Sequence, residues 1–168
     1  MSICTIMVGV PGTGKSTRIG QLYPVHYCPM LPPGPTSDYL RENAPCWVVS
    51  ADHYFIGADG SYNWNADGLS KAHRNCYHRF FHALGLGVDV VVDNTNLKHR
   101  VRREYLEAAT ARGYEIRVEV LAPVPGRKNI HCVPEAQVQK MLLGQDIEAG
   151  TYTWTLESGY RRLDDSQR

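Results

Sequence analysis

Short runs of apolar, mostly β-branched residues recur along the chain, separated by polar or turn-forming stretches. The four runs lie at Ile3–Val8, Cys46–Val49, Val88–Val92 and Ile116–Leu121. Continuous apolar runs of this length are typical of strands in a parallel sheet, because both faces of such a sheet are buried. The pattern therefore predicts a central sheet of parallel strands.

Helix-like stretches lie between and after these runs, at Lys15–Tyr23, Ala66–Leu84, Lys98–Arg112 and Pro134–Leu143. Gly85 and Gly113 follow the second and third stretches, where a helix C-cap favours glycine. Strands that alternate with helices predict right-handed crossovers and helices on both faces of the sheet. We therefore predict an α/β fold with a central parallel sheet flanked by helices.

Three segments depart from this alternation. Residues 24–45 hold six prolines and form an insertion or long loop, for which a lid and a plain connector are both open interpretations. Residues 123–134 are predicted to form a short lid. The alternating segment Tyr152–Leu156 predicts an edge strand.

Composition narrows the class of protein. A length of 168 residues with 43% hydrophobic content predicts one domain with a real core. The net charge of +1 argues against a strongly basic, non-specific nucleic-acid binder, although a local basic stripe remains possible. Five dispersed cysteines and the absence of an apolar run of about 20 residues predict a soluble cytoplasmic protein with no membrane partner. We infer no obligate protein partner from the sequence.

The segment Gly9–Ser16 reads Gly-Val-Pro-Gly-Thr-Gly-Lys-Ser and fills every fixed position of the G-x-x-x-x-G-K-[ST] phosphate-binding loop (P-loop). It follows a predicted strand and precedes a predicted helix, as this loop requires. Backbone N–H groups of such a loop surround phosphate oxygens, while Lys15 reaches the β- and γ-phosphates and Ser16 holds Mg²⁺. We predict ATP contacts at Gly9, Pro11, Gly12, Thr13, Gly14, Lys15, Ser16 and Thr17.

Two carboxylates follow the next strands. Asp52 comes after the second apolar run and Asp93 ends the third. The carboxyl ends of parallel strands share one edge of a sheet, so both side chains are expected near the phosphate loop. Asp52 is predicted to act as general base on an acceptor hydroxyl, the alternative being a helix N-cap. Asp93 is predicted to reach Mg²⁺, the alternative being a structural cap.

Further residues near these carboxylates are candidates for acceptor binding. Asn94, Thr95 and Asn96 offer short polar side chains of the kind that contact nucleic-acid backbones. Four aromatic residues can stack an exposed base or simply pack in the core: Tyr54, Phe55, Tyr62 and Trp64. A basic group can follow a phosphate backbone or form a solvated face: Lys98, His99, Arg100, Arg102 and Arg103.

The segments Gly9–Thr17, Ser50–Phe55 and Val92–Leu97 together resemble the polynucleotide 5′-hydroxyl kinase family. The resemblance is closest to small P-loop proteins related to the kinase module of NEDD4-binding proteins. It extends over most of residues 3–143 through further motifs in order, at Gly60–Asn65, Ala72-His73, Cys76 and Asn129–Pro134.

This resemblance implies roles for individual residues. Lys15 and Ser16 bind ATP and Mg²⁺, Asp52 activates the acceptor hydroxyl, and Asp93 and Thr95 lie at the metal and the acceptor backbone. Arg127, helped by Lys128, corresponds to a lid arginine that steadies the transferred phosphoryl group, the alternative being a solvated turn. His73 and Arg74 are expected near the acceptor, with a structural histidine as the other interpretation of His73.

The acceptor itself stays open at this point. The phage repair kinase has an arginine shortly after its catalytic aspartate, where this chain has Tyr54 and Phe55. The resemblance implies an ATP-dependent kinase acting on a 5′-hydroxyl, of DNA in preference to RNA. One alternative acceptor is a base hydroxyl such as that of 5-hydroxymethyluracil in phage DNA, which implies a phage protein in the host cytoplasm. Another alternative is a P-loop ATPase switch with no acceptor at all.

Overall fold

The computed structural model describes residues 1–26, 28, 44–124 and 133–164. Most of the proline-rich insertion and most of the predicted lid at 123–134 lie outside the described residues. Arg127 and Lys128, the predicted lid residues, lie outside them as well.

A six-stranded sheet runs through the described part of the chain, with the strand order β2-β3-β1-β4-β5-β6. β1, β2, β3 and β4 are parallel, β5 is antiparallel to β4, and β6 is antiparallel to β5. The strands span Ile3–Val8 (β1), Cys46–Val49 (β2), Asp89–Asp93 (β3), Glu115–Val120 (β4), Gly150–Thr155 (β5) and Gly159–Arg162 (β6).

Helices cover the sheet and are joined to it by short turns. The α-helices span Lys15–Leu22 (α1), Leu69–Leu86 (α2), His99–Thr110 (α3) and Glu135–Leu143 (α4), and two 3₁₀ turns span Ala51–Phe55 and Ala66–Gly68. The predicted mixed α/β fold with a mostly parallel sheet and flanking helices is confirmed. No helix in the described ranges is both long and apolar enough to cross a bilayer.

The prediction for the end of one helix and the prediction for the place of the tail strand in the sheet were wrong. The second predicted helix continues past Gly85 to Leu86, and its left-handed cap is Gly87, at φ 70°. The tail strand is not at the edge of the sheet, because Gly159–Arg162 pairs along its outer side. The four residues of this outer strand, Gly-Tyr-Arg-Arg, contain no apolar run that could have revealed it.

Register fixes where the site lies. Met7 of β1 pairs with Asp93 at the end of β3, and Val49 at the end of β2 pairs with Val92. The three strands therefore end at one edge of the sheet, and the chain leaving β1 there becomes the phosphate-binding loop. β1 is buried from Cys4 to Val8, which makes it a rigid support for that loop.

Candidate functional site

The phosphate-binding loop connects β1 to α1 through two left-handed glycines. Gly12 and Gly14 have φ angles of 86° and 87°, a region that side chains with a Cβ rarely adopt. Gly14 is the N-cap of α1, so the helix begins directly at Lys15. The N–H groups of the first turn and the positive end of the helix dipole therefore face the loop, as anion binding requires.

Lys15 brings the predicted groups together. Its ammonium Nζ donates to the carbonyl oxygens of Gly9 and Val10, at 3.0 and 3.3 Å. Burial lowers the pKa of Lys15, and the negative charges of Asp93 and Asp52 act on the ammonium in the opposite direction. Both carboxylates thus lie within electrostatic reach of the P-loop lysine.

The turn after β3 is bonded to both neighbouring segments. The amide N–H of Gly9 donates to the carbonyl of Thr95 at 3.1 Å, which joins this turn to the start of the loop. Asn94 Oδ1 accepts from the amide of Ala51 at 2.9 Å, and Asn94 Nδ2 donates to Cys76 Sγ at 3.5 Å. Both polar ends of the Asn94 amide are used inside the protein. Asn94 therefore positions the Asp52 segment, and its direct contact with the acceptor stays a prediction.

Asn96 and Arg102 fix this turn through buried hydrogen bonds. Asn96 has φ 47°, and its buried Nδ2 donates to the carbonyl of Met7 at 2.8 Å. Arg102 is 1% exposed and donates to the carbonyl of Asn96 at 2.7 Å. Its other nitrogens donate to Tyr160 Oη at 2.8 Å and to Asp146 Oδ1 at 2.6 Å. Arg102 is therefore part of the internal support of the turn, and its predicted place in a phosphate-binding stripe is wrong.

Asp52 lies in the 3₁₀ turn that follows β2. Ser50 caps this turn by accepting from the amide of Asp52 at 3.2 Å, so the Asp52 carboxylate is not the cap. Tyr62 Oη donates to Asp52 Oδ1 at 2.8 Å. Ile56 and Tyr62 form an isolated antiparallel bridge, which folds the chain back and brings Tyr62 to Asp52. The sequence revealed only the aromatic character of Tyr62, and the turn residues around Gly60 were the available signal for this fold-back.

His53 lies in the same turn as a neutral side chain. Burial and the nearby charge of Arg79 lower the pKa of His53 to about 4, against the opposite effect of Asp52. Arg79 is itself buried and donates to Asn75 Oδ1 one helical turn away on α2. At neutral pH the imidazole of His53 in the Asp52 turn is therefore uncharged.

A family profile described as AAA domain matches residues 5–128, which is more than half of the chain. The chain belongs to the AAA domain family. The matched range includes β1, the P-loop and both turns described above.

The fold of this AAA domain is also found in a solved structure of an RNA repair complex. It is similar to a chain of the Pnkp1/Rnl/Hen1 RNA repair complex, with a TM-score of 0.60, 17% identity, and coverage of 98% of this chain and 53% of that chain. It is also similar to the Mycobacterium tuberculosis APS kinase CysC in complex with AMPPNP and APS, with a TM-score of 0.47, 15% identity, and coverage of 98% and 84%. The chain spans only about half the length of the RNA repair chain.

The aromatic group divides into buried and exposed members in this AAA domain. Phe55 is 4% exposed and lies in the core, so its predicted place in a base stack is wrong. The rings of Tyr62 and Trp64 pack against Phe55, with centroids 6.2 and 6.4 Å away, yet these side chains are 41% and 54% exposed. Tyr54 is half-buried and packs edge to face against Phe55. An outward aromatic surface thus lies beside Asp52, and Phe55 is its support.

Two predicted acceptor contacts lie on α2 and α3. His73 is exposed and lines a cleft between these helices. Arg103 forms an ion pair with Glu107 on its own helix, Nε to Oε1 at 3.7 Å. Among the described residues that line the cleft, the arginine of α3 is Arg100. The structure therefore favours Arg100 over Arg103 as the residue that faces a ligand there.

Residues of this AAA domain that fit Mg²⁺ are Ser16 and Asp93. Their hydroxyl and carboxylate oxygens are hard donors of the kind that Mg²⁺ prefers. In the described ranges no three His, Cys, Asp or Glu side chains gather as a metal cluster. Such a pair fits an ion whose remaining ligands are phosphate oxygens and water.

Proposed function

We propose that this chain is an ATP-dependent kinase that transfers the γ-phosphoryl group to a hydroxyl of nucleic acid, foremost the 5′-hydroxyl of a polynucleotide. The observation that carries the proposal is the Asp52 carboxylate, oriented by Tyr62 and within electrostatic reach of Lys15. A nucleotide switch needs the P-loop but has no use for a positioned carboxylate opposite it.

The arrangement supports one transfer step. Asp52 accepts the proton of the acceptor hydroxyl while the oxygen of that hydroxyl bonds to the γ-phosphorus. The bond from that phosphorus to the β,γ-bridging oxygen breaks and releases ADP. Lys15 and the N-terminal amides of α1 stabilise the charge on the phosphate oxygens. Ser16 and Asp93 would hold Mg²⁺, which when bound neutralises phosphate charge.

The exposed rings of Tyr62 and Trp64 favour a nucleic-acid acceptor. Both rings pack against Phe55, which ends the turn that carries Asp52, and Tyr62 also donates to Asp52. Base stacking on aromatic side chains contributes about 1–3 kcal/mol per base. A base stacked there would place its own sugar near Asp52. Thr95, in the adjacent turn, remains a predicted contact to the acceptor backbone.

The same exposed rings favour one second candidate, a kinase for a hydroxyl on a modified base such as 5-hydroxymethyluracil in DNA. An enzyme that acts on a base within a strand holds the extruded base between aromatic or apolar side chains. The two candidates share Asp52, Lys15 and the P-loop. They differ only in which hydroxyl reaches Asp52.

The test is transfer of label from γ-labelled ATP to defined acceptors. The acceptors are a 5′-hydroxyl DNA oligonucleotide, its RNA counterpart, and DNA with blocked 5′ ends that contains 5-hydroxymethyluracil. We expect label on the unblocked 5′ ends, with DNA labelled more efficiently than RNA. Label confined to the blocked, modified DNA would move the acceptor to the base, and ATP hydrolysis without label on any acceptor would favour a switch.

Variants make this test specific. Asp52→Asn should lower transfer by a factor of about 10²–10⁴, the usual contribution of a general base, while ATP affinity stays near that of the wild type. Asp67→Asn is the matched control, because Asp67 is an exposed aspartate on the neighbouring 3₁₀ turn. Equal transfer by Asp52→Asn and Asp67→Asn would contradict the role of Asp52.

A further inference from the structure

A cleft of about 510 Å³ separates the N-terminal halves of α2 and α3. Its residues His73 and Arg74 are expected near the acceptor and Arg100 faces a ligand there, but the part of the acceptor that the cleft binds is not yet assigned. Its walls include His73, Arg74 and Tyr77 from α2 and Arg100, Glu104 and Tyr105 from α3.

The cleft adjoins the candidate catalytic turns through a short chain of contacts. Tyr105 Oη and Asn94 Nδ2 both donate to Cys76 Sγ, at 3.8 and 3.5 Å. Asn94 in turn accepts from the amide of Ala51, the residue before Asp52. His73 precedes Cys76 by one helical turn, or about 5 Å along the axis. The cleft therefore begins next to the place where the acceptor hydroxyl is expected.

Two arginines give the cleft an excess of positive charge. Within the described part of the chain, neither Arg74 nor Arg100 has a carboxylate within 4.0 Å, and both are exposed. Arg102 and Arg103, on the same helix as Arg100, are by contrast engaged by Asp146 and Glu107. Glu104 contributes the single carboxylate among the residues that line the cleft. Two guanidinium groups thus face this cleft without competing ion pairs.

The floor of the cleft is aromatic. Tyr105 is buried and Tyr77 is half-buried, and their rings meet edge to face with centroids 5.3 Å apart. Guanidinium groups above an apolar, aromatic floor match a single-stranded nucleic acid, which offers phosphates and flat bases together. A small anion such as free phosphate would use the arginines but not the exposed part of the Tyr77 ring.

We propose that the α2–α3 cleft binds the backbone of the acceptor strand on the 3′ side of the nucleotide at Asp52, with Arg74 and Arg100 contacting its phosphates. This inference rests on the proposed function and extends it, because it makes the enzyme selective for a polymer over a mononucleotide. The two arginines bind phosphates of the acceptor strand and take no part in the transfer step.

The first test measures binding of 5′-hydroxyl oligothymidylates of two, four and eight nucleotides by fluorescence anisotropy over a range of salt concentrations. Each phosphate contact to a single strand contributes about 0.7 to the slope of log K against log salt. The Arg74→Gln/Arg100→Gln double variant should therefore lose about 1.4 from the slope for the octamer. At 0.15 M salt that change corresponds to about tenfold weaker binding.

Arg112→Gln provides the charge-matched control. Arg112 follows the C-terminal end of α3, about 18 Å along the helix axis from Arg100, and its guanidinium lies over the ring of Phe81. This variant should keep the wild-type salt slope. Thermal unfolding of all variants ensures that folded proteins are compared.

The second test compares phosphoryl transfer to the octamer and to thymidine 3′-monophosphate. The wild type should prefer the octamer in kcat/KM, and the double variant should lose about ten times more activity on the octamer than on the mononucleotide. An unchanged salt slope together with an unchanged length preference in the double variant would overturn the cleft assignment.

These readouts separate the cleft from the proposed function. Transfer to 5′ ends that is insensitive to Arg74→Gln/Arg100→Gln would overturn the cleft and leave the kinase assignment standing. Oligonucleotide binding that depends on both arginines, without any transfer, would support the cleft and overturn the kinase assignment. Failure of the wild type to bind any of the oligonucleotides would overturn both.

Discussion

The turns that follow β2 and β3 end at the same sheet edge but are built in opposite ways. The turn Asp93–Asn96 is short, and its groups bond to β1, to the P-loop and to the buried Arg102. Residues 51–65 make a long excursion that leaves Tyr62 and Trp64 exposed. One turn is fixed to the scaffold, while the other presents side chains outward.

The difference shows how one edge can combine precision with contact. The fixed turn holds Asp93 beside the P-loop. The hydrogen bond that Asn94 Oδ1 accepts from the amide of Ala51 also fixes the position of the turn that carries Asp52. The outward segment then has only to supply the surface that meets an acceptor. Substitutions of the buried residues that bond to the turn after β3 should therefore reduce stability. Substitutions in residues 51–65, the excursion after β2, should change catalysis or acceptor binding.

The largest expected effect comes from Arg102→Met. The substitution leaves the carbonyl of Asn96 and the side chains of Asp146 and Tyr160 without their buried donor, so we expect a loss of about 3 kcal/mol in the free energy of unfolding. Denaturant titration measures it. Arg103→Met, at the adjacent and exposed ion pair, should cost less than about 1 kcal/mol. Equal losses in the two variants would show that the β3 turn does not depend on the buried guanidinium.

The next effect concerns pH and the support of the β2 turn. The pKa of His53 is about 4 in the folded protein against an ordinary value of 6.5, so the unfolded chain binds more protons in that interval. The stabilisation is complete above pH 6.5 and should fall by about 3 kcal/mol as the pH decreases to 4.

Unfolding titrations at several pH values test this prediction. His53→Gln should flatten the pH dependence between 6.5 and 4, since the substituted side chain does not titrate. The control is His78→Gln on the exposed side of α2, which should keep the wild-type slope. A His53→Gln protein with the full wild-type slope would assign the dependence to other groups.

The sequence predicted those elements whose physical cause is local. β1 and β2 were predicted with their observed bounds, because a strand that is buried on both faces consists of a nearly continuous apolar run. β6 was missed because its outer residues, Arg161 and Arg162, are exposed and polar. Gly85 and Gly87 both follow apolar helix residues, and only the backbone conformation distinguishes the cap.

The candidate site was predictable to the same extent. The P-loop is a contiguous motif, so its position followed from the sequence alone. The neighbours Arg102 and Arg103 are chemically identical, yet one is buried under Asn96 and the other pairs at the surface. Contacts such as that between Tyr62 and Asp52 depend on how the chain folds back, which no local pattern records.

A smaller effect is expected from Trp64→Ala, which removes the most exposed ring of the β2 excursion. Loss of one stacked base should raise the KM for an oligonucleotide acceptor about tenfold, within the range of about 1–3 kcal/mol for such contacts, with little change in kcat. Trp64→Phe should recover most of the affinity because a phenyl ring still stacks. Steady-state kinetics with saturating ATP measures both. An unchanged KM in Trp64→Ala would remove Trp64 from the acceptor surface.

The smallest effect should come from Tyr62→Phe, which keeps the ring and removes the hydroxyl bonded to Asp52 Oδ1. Loss of one hydrogen bond costs about 1 kcal/mol, so kcat should fall about fivefold while the acceptor KM stays near that of the wild type. The result expected of Trp64→Ala is the reverse, and the pair separates positioning of the carboxylate from contact with the base. In an Asp52→Asn background, Tyr62→Phe should have no further effect on kcat, because the oxygen that it orients no longer accepts a proton. A raised KM with unchanged kcat would instead show that the hydroxyl of Tyr62 contacts the acceptor and does not orient Asp52.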